Sequence, residues 1–314
     1  MSNIEQLGWN EEFEESLSDD DRRAGSQPAR VVSENRRGIV VDDGTHERSV
    51  SSQGRWFHGS EDQRPIVGDW VLLSARGDSV VRVLDRKNKL QRISKRSGSP
   101  QAIASNIDIM FIVFSCDAAF NESRLERYLA LGETSGVGLA IVLTKIDLCS
   151  DYARYIERAN RVTFGIPIIP VNALERSFLD EIISSFTGAL TSIFVGASGV
   201  GKSTLINTMV GSQVQDTREV RTRDSKGRHT TTARNLIRLP FGGLAVDVPG
   251  TRELQLASRP PHLPQSFPDI EEAIQNCRFA SCRHTSEPGC AIQKALETGE
   301  FDERRLRNYL SIVG

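Results

Sequence analysis

Gly196-x-x-x-x-Gly201-Lys202-Ser203, within "VGASGVGKSTLIN" at 195–207, combines residue types suited to holding a polyphosphate. Gly196, Gly199 and Gly201 let the backbone curl so that amides face an anion without Cβ clashes, and Ala197, Ser198 and Val200 complete the loop. Lys202 places a point charge on the β- and γ-phosphates, and the Ser203 hydroxyl completes a Mg²⁺ shell, with Thr204 following in the first helical turn. An apolar strand precedes the loop and "STLINTMVG" continues it as a helix, whose N-terminus adds a favourable dipole. Downstream, "LAVDVPG" puts Asp247 at a strand end, where its carboxylate would hold the same Mg²⁺ through water, and Gly250 where its amide would meet the γ-phosphate.

A second constellation reads a base. Thr144-Lys145-Ile146-Asp147 follows the strand "AIVL" and resembles the [N/T]KxD base-recognition motif of GTPases. A carboxylate at Asp147 accepts both guanine N1–H and N2–H₂, a donor pair that adenine lacks, while the Lys145 stem can lie over the base plane. Thr144 stands where Asn is usual, and its hydroxyl can still tie this loop to the phosphate loop. Asn172-Ala173 occupies the place of the "SA" motif, whose backbone amide meets guanine O6, with Asn172 replacing Ser. The expected ligands are therefore GTP and GDP with Mg²⁺. The base-reading segments (144–147, 172–173) precede the phosphate segments (196–204, 247–250), the reverse of the usual order. That order predicts a circularly permuted GTPase domain that ends just after "DVPG", where a free end would fray unless the next unit anchors it.

Between the phosphate segments lies "GRHTTT" at 227–232. His229 is a candidate to position the attacking water, with an exposed structural histidine as the alternative reading. One of Thr230, Thr231 or Thr232 is expected to ligate Mg²⁺ in the GTP state. Thr251 and Arg252 follow the DxxG segment where Ras-like enzymes carry a water-orienting Gln, so intrinsic hydrolysis is expected to be slow and partner-stimulated.

Cys277-x4-Cys282-x-His284-x5-Cys290 supplies three thiolates and an imidazole within fourteen residues, a donor set suited to tetrahedral Zn²⁺. Four protein ligands leave no open position, so the zinc would be structural. Cys116 and Cys149 read as small core residues.

These groups need elements to position them. In 314 residues, 38% hydrophobic and 25% charged, there is room for two or three compact units. A net charge of −2 gives no global attraction to nucleic acid, so any such attraction must be local. The N-terminus is acidic and polar without a signal-peptide core, and no apolar run reaches bilayer length; a cytoplasmic, non-membrane protein is expected. Residues 1–28 read as a disordered acidic tail. Residues 29–97 show short alternating runs ("RGIVVDD", "RSVSSQGRWF", "GDWVLLSA", "DSVVRVLDR"), suggesting an N-terminal OB-fold β-barrel for RNA. Its basic exit segment (Arg82, Arg86, Lys87, Lys89, Arg92, Lys95, Arg96) reads as a solvated face or a seat for RNA phosphates. Residues 98–256 alternate strand and helix, predicting a central α/β P-loop domain whose parallel sheet has one antiparallel edge, the hairpin through Phe241-Gly242-Gly243. Residues 257–314 read as a C-terminal α-helical zinc-binding domain, closed by a helix with Leu306, Tyr309, Leu310 and Val313 on one face.

Taken together, residues 29–314 resemble the ribosome small-subunit-dependent GTPase A family: barrel, permuted G domain, "GRHTTT", then the Cys/His cluster. The resemblance implies zinc at Cys277, Cys282, His284 and Cys290. It also implies binding to the small (30S) ribosomal subunit and its 16S rRNA, a part in late maturation, and slow hydrolysis stimulated by the subunit. Help in releasing ribosome-binding factor A is implied as well; a monomer is expected. Two other functions use the same residues. An RNA-binding scaffold would hold nucleotide only structurally, yet Lys202, Ser203 and Asp247 retain Mg²⁺ chemistry. A metal-delivery GTPase would need a labile cluster, which four closed ligands disfavour.

Overall fold

The computed structural model describes residues 3–35, 38–50, 64–93, 99–163, 165–186, 188–211, 234–248, 266–285 and 287–313. His229, Thr230, Thr231, Thr232, Gly250, Thr251, Arg252, Lys95 and Arg96 lie outside the described residues. Among the described residues no helix is long and apolar enough to cross a membrane.

The first strands are β1 (Gln27–Asn35), β2 (Gly38–Asp42), β3 (Glu47–Val50), β4 (Trp70–Leu73), β5 (Val80–Val83), β6 (Lys89–Ile93) and β7 (Pro100–Ser105). The α/β region adds β8 (Ile109–Ser115), β9 (Gly138–Thr144), β10 (Ile168–Pro170), β11 (Thr191–Val195), β12 (Arg234–Arg238) and β13 (Leu244–Asp247). Its sheet runs β10-β9-β8-β11-β13-β12, parallel throughout except for β12. The apolar run of β8 explains its central place. Met110, Ile112 and Phe114 join one buried cluster and Phe111 and Val113 the other, so alternate side chains enter cores on opposite faces. One face is covered by α3 (Glu122–Ser135) and α4 (Ala153–Asn160), the other by α5 (Asp180–Ser184) and α6 (Lys202–Val210). The crossover helix α3 starts where the Asn121 side chain accepts the Arg124 amide, and stops at Gly136 in the left-handed region at φ 67°.

The expected disordered tail is corrected. Two short helices, α1 (Glu11–Glu15) and α2 (Asp19–Arg23), form within it. Leu7 and Phe13 are buried, and the Trp9 ring meets Trp70 edge-on at 4.8 Å. Acidic composition conceals these few apolar anchors, and the contact with β4 supplies what local propensity does not. The expected antiparallel edge is also not an edge. β12 pairs with β1 at Ser33↔Asn235 and Glu34↔Arg234, so the α/β sheet continues into the N-terminal strands. Arg234 bonds Glu34 at 3.2 Å and Arg238 bonds Asp42 at 2.5 Å, reinforcing that seam. The boundary expected at 97/98 falls inside a hairpin, because β6 pairs with β7.

A buried guanidinium on β1 joins that strand to four other segments of the chain. Arg30 donates to Leu7 O (2.5 Å), Gly68 O (2.9 Å), Asn106 O (3.1 Å) and Thr191 Oγ1 (3.1 Å), and lies over the Trp70 ring. Burial pushes its pKa down to about 10, opposed by Asp108 and Asp69, so it stays cationic at neutral pH. The basic exit segment proves to be largely consumed in such joints. Arg82 pairs with Asp21, Arg86 with the buried Asp69, and Lys87 with Asp108, each at 2.7 Å. Arg92 bonds Gln101 at 3.2 Å. These pairs join segments, although Arg82 and Lys87 keep 37% and 50% of their side chains exposed.

The C-terminal unit contains α7 (Pro268–Gln275), α8 (Ala291–Thr298) and α9 (Glu303–Val313) around Phe267, Ile270, Ile292, Phe301 and Tyr309. On α9 the expected face is partly corrected. Leu306, Tyr309 and Ile312 are buried with Arg305 and Asn308, whereas Leu310 is 45% exposed. Arg305 and Asn308 face inward because a carboxylate of the α/β unit meets them. Glu126 of α3, fully buried, accepts from Arg305 (2.7 Å), Arg304 (3.0 Å) and Asn308 (2.5 Å). The Ser266 amide bonds Glu133 at 3.1 Å, and Arg305 also grips Asp269 through two bonds of 2.7 Å.

Candidate functional site

β11 delivers the phosphate loop at the C-terminal end of the parallel sheet, where open α/β sheets place ligands. All five β11 residues are buried, which fixes the strand from which the loop departs. A Cβ on Gly196 would lie 2.3 Å from the Val113 carbonyl, so only glycine lets the loop turn this close to β8. Gly201, at φ 101°, makes the turn into α6 and leaves the helix's first amides facing the loop. Lys202 Nζ donates to the carbonyls of Gly196 and Ala197, both at 2.8 Å, and thereby closes the loop over the space where phosphate oxygens would bind. Asp247 ends β13 beside it. Burial raises the Asp247 pKa, opposed by Lys202, a carboxylate whose charge lacks water and would gain from a cation. Together with the Ser203 hydroxyl, an oxygen donor of this kind fits Mg²⁺.

The base-reading segments are tied directly to this loop. Thr144 Oγ1 lies 2.5 Å from the Val200 carbonyl and 3.2 Å from that of Phe114, linking β9, β8 and the phosphate loop through one hydroxyl. Thr144 therefore makes the tie expected of it despite replacing Asn. Lys145 takes the left-handed conformation at φ 60° and its ammonium lies 3.6 Å from Asp117. Burial raises the Asp117 pKa, but Ser115, the Ala119 amide and Lys145 outweigh it and hold the carboxylate below its usual range. Asp147, in the short turn Ile146–Leu148, is exposed, as a base reader open to its ligand must be. Asn172 turns its own segment, accepting the Leu174 amide and donating to Glu175 at 2.7 Å. Ala173 O accepts from Thr208 of α6 at 2.7 Å, and Arg176 donates to Met209 O at 2.9 Å. Thr144 thus bonds to the loop that leads into Lys202, and the 172–176 segment bonds to α6, which Lys202 begins.

Thr144→Val keeps the shape and removes the hydroxyl. We expect GTP and GDP affinities to fall about tenfold, near 1.4 kcal/mol, by calorimetric titration. Unchanged affinity would show that the tie does not organise the site.

The ligating atoms of Cys277, Cys282, His284 and Cys290 all lie within 4.8 Å of one another, and His284 Nδ1 is 3.6 Å from the Cys277 sulfur and 3.7 Å from that of Cys290. Cys290 precedes α8, whose first amides face Cys277. Burial opposes the Cys277 thiolate, but the Ala291 and Ile292 amides outweigh it and lower the thiol's pKa. His284 sits in the left-handed region at φ 62°, and its carbonyl accepts from Gln293 at 2.6 Å. Glu287 accepts the amides of Arg283 and Thr285, closing the loop. A gathered Cys₃His set of this kind fits a tetrahedral metal with no position left over.

Sequence reasoning missed Asp117, Arg30 and Glu126. Only Glu126 left a signal, since it shares the helical face of Leu129, Ala130 and Glu133 inside an apolar stretch.

Comparison with known proteins agrees with this geometry. The family model of the RsgA GTPase matches residues 83–257. Small ribosomal subunit biogenesis GTPase RsgA 2 of Vibrio vulnificus is 39% identical over 99% of this chain and 87% of its own. The RsgA of Methanosarcina acetivorans is 43% identical over 79% of this chain and 68% of its own. The crystal structure of YjeQ from Thermotoga maritima superimposes with a TM-score of 0.66 at 25% identity, covering 92% of this chain and 97% of that one. That of YloQ, a circularly permuted GTPase, gives 0.61 at 25% identity, with 92% and 94% covered. With β8–β10 preceding β11 and its glycine-rich loop in the chain yet continuing the same sheet on one side of it, this protein has the circularly permuted GTPase fold, belongs to the RsgA GTPase family and is a GTP hydrolase.

Proposed function

We propose that this chain is a GTP-driven maturation factor of the small ribosomal subunit. In this reading Asp147, Lys145 and the Ala173 amide recognise guanine, while the loop 196–204 with Lys202 binds the phosphates. Ser203 and Asp247 hold Mg²⁺, which when bound neutralises charge on the β- and γ-oxygens. His229 orients water and Gly250 senses the γ-phosphate. The N-terminal strands form an OB-type barrel that faces RNA, and zinc at Cys277, Cys282, His284 and Cys290 is structural. The protein acts as a cytoplasmic monomer, hydrolyses GTP slowly until the subunit stimulates it, and aids release of ribosome-binding factor A.

The observation that supports the reading is the Thr144–Val200 hydrogen bond, which holds the segment 144–147 against the phosphate loop, as a shared nucleotide would require. The curated relatives, named for small ribosomal subunit biogenesis, supply the partner. The test is GTP turnover with small subunits, with large subunits and with neither. At least a tenfold or so acceleration by small subunits alone is expected. Equal turnover in all three would remove the ribosomal reading and leave the GTPase.

A further inference from the structure

The loop that leaves β8 lies between the two halves of the site. In the sheet β8 stands between β9, which leads into the segment 144–147, and β11, which leads into the phosphate loop. The β8–β9 ladder runs as far as Ser115↔Thr144, and just beyond it the Cys116 amide donates to the Thr144 carbonyl at 3.0 Å. The residues that follow, Asp117 on one side and Lys145 on the other, then meet: the Lys145 ammonium lies 3.6 Å from the Asp117 carboxylate.

Asp117 is a fixed anchor. Its carboxylate accepts the Ala119 amide at 2.9 Å, its own amide donates to Ser115 O at 2.8 Å, and its carbonyl accepts from the Phe120 amide at 3.1 Å. Phe120 is buried against Phe114, with ring centres 5.1 Å apart, and Asn121 then caps α3. Burial opposes the Asp117 charge, but Ser115, the Ala119 amide and Lys145 outweigh it, so the carboxylate is ionised at neutral pH. Lys145 is the movable partner. Its backbone is held in the left-handed region at φ 60°, while its long stem is free to sweep many rotamers unless something fixes the tip. A partly exposed pair of this kind adds little to folding stability. What it sets is direction, because the stem leaves the end of β9 and its tip is drawn toward β8, on the phosphate side.

We propose that Asp117 is a positioning residue for guanine nucleotides, holding the Lys145 stem in the direction that lays it over the purine before the nucleotide arrives. The inference rests on the reading of 144–147 as the guanine reader. Ordering the stem in advance removes part of the entropy that binding would otherwise lose, so the pair acts on affinity and residence time. The stem covers a ring plane that every purine has, whereas Asp147 reads the guanine edge, so the two carboxylates serve different parts of the base.

The test separates the charge of Asp117 from the turn it makes. Asp117→Asn keeps an oxygen for the Ala119 amide and removes the charge, while Asp117→Glu keeps the charge on a longer stem and gives up the turn. Both are compared with Lys145→Met and with Asp117→Asn combined with Lys145→Met, in the full chain. Affinity and dissociation rate are measured with GTP, GDP and inosine triphosphate, which lacks the 2-amino group. Asp117→Asn is expected to bind all three about fivefold more weakly, through faster dissociation. Its GTP-to-ITP ratio and melting temperature should match the wild type, and Asp117→Glu should recover most of the loss. In the Lys145→Met background, Asp117→Asn should cost nothing further. Wild-type affinity in Asp117→Asn, or a weak Asp117→Glu beside a normal Asp117→Asn, would leave Asp117 only its turn and overturn the proposal. So would a changed GTP-to-ITP ratio, or a loss that persists in full without the Lys145 ammonium. If the wild-type chain binds ATP as tightly as GTP, the guanine reading itself falls, a result distinct from any of these.

Discussion

Lys202→Ala is expected to abolish GTP and GDP binding, with a loss of at least about 100-fold, near 2.7 kcal/mol. The ammonium already sits inside the phosphate loop, held by Gly196 O and Ala197 O at 2.8 Å. When nucleotide binds, phosphate oxygens offer full negative charge where those carbonyls offer partial charge, so the exchange is strongly favourable. Alanine removes the only long cationic side chain in 195–207 and leaves amide dipoles to face a triphosphate alone. The variant should fold, since Lys202 is half-buried and α6 is anchored by Leu205, Ile206 and Met209. Titration with a fluorescent guanine nucleotide reads the effect, and wild-type affinity would contradict the assignment of the loop.

Glu126→Ala has the second large expected effect, and it falls on stability. The glutamate is fully buried and accepts from Arg304, Arg305 and Asn308, while Arg305 has only 5% of its side chain exposed. Burial disfavours the Arg305 cation, and Asp269 with Glu126 more than offsets it. Deleting Glu126 leaves a buried guanidinium short of a partner, at a cost of about 3–5 kcal/mol. The loss should appear as separate, earlier unfolding of residues 266–313, because Glu126 joins that unit to α3. Limited proteolysis and urea denaturation measure it. A single transition at the wild-type midpoint would show that the charge cluster does not hold the two units together. The permuted chain order gives the cluster its purpose: β13 is the last strand of the sheet in the chain, and the helices that follow it are fixed to α3.

How much of this was legible in the chain depended on whether the signal was local. The phosphate loop, the crossover helix and the Gly242-Gly243 hairpin were readable because glycine placement and hydrophobic period act within a dozen residues. β8 showed its two-sided burial as an unbroken apolar run. The N-terminal helices were not readable: each has five residues, too few to stand alone, and they persist because Leu7, Trp9 and Phe13 reach the strands that follow. The pairing of Arg82, Arg86 and Lys87 was not readable for the same reason. Their counter-charges, Asp21, Asp69 and Asp108, lie 61, 17 and 21 positions away, a separation at which sequence carries no pairing information. In the site itself, residue types gave the roles of Lys202 and Asp147, whereas only coordinates revealed Thr208 bonding Ala173.

The central claim is that the segments 144–147 and 196–203 close on one guanine nucleotide, with Asp147 reading the base. Xanthine carries a carbonyl where guanine carries its 2-amino group, so an amide at position 147 can donate to it and a carboxylate cannot. The deciding measurement is the ratio of GTP to XTP affinity in the wild-type protein and in Asp147→Asn. A wild-type preference for GTP that inverts in the variant, to favour XTP by about tenfold or more, is the predicted result. A variant that still prefers GTP over XTP would mean that the base is held elsewhere.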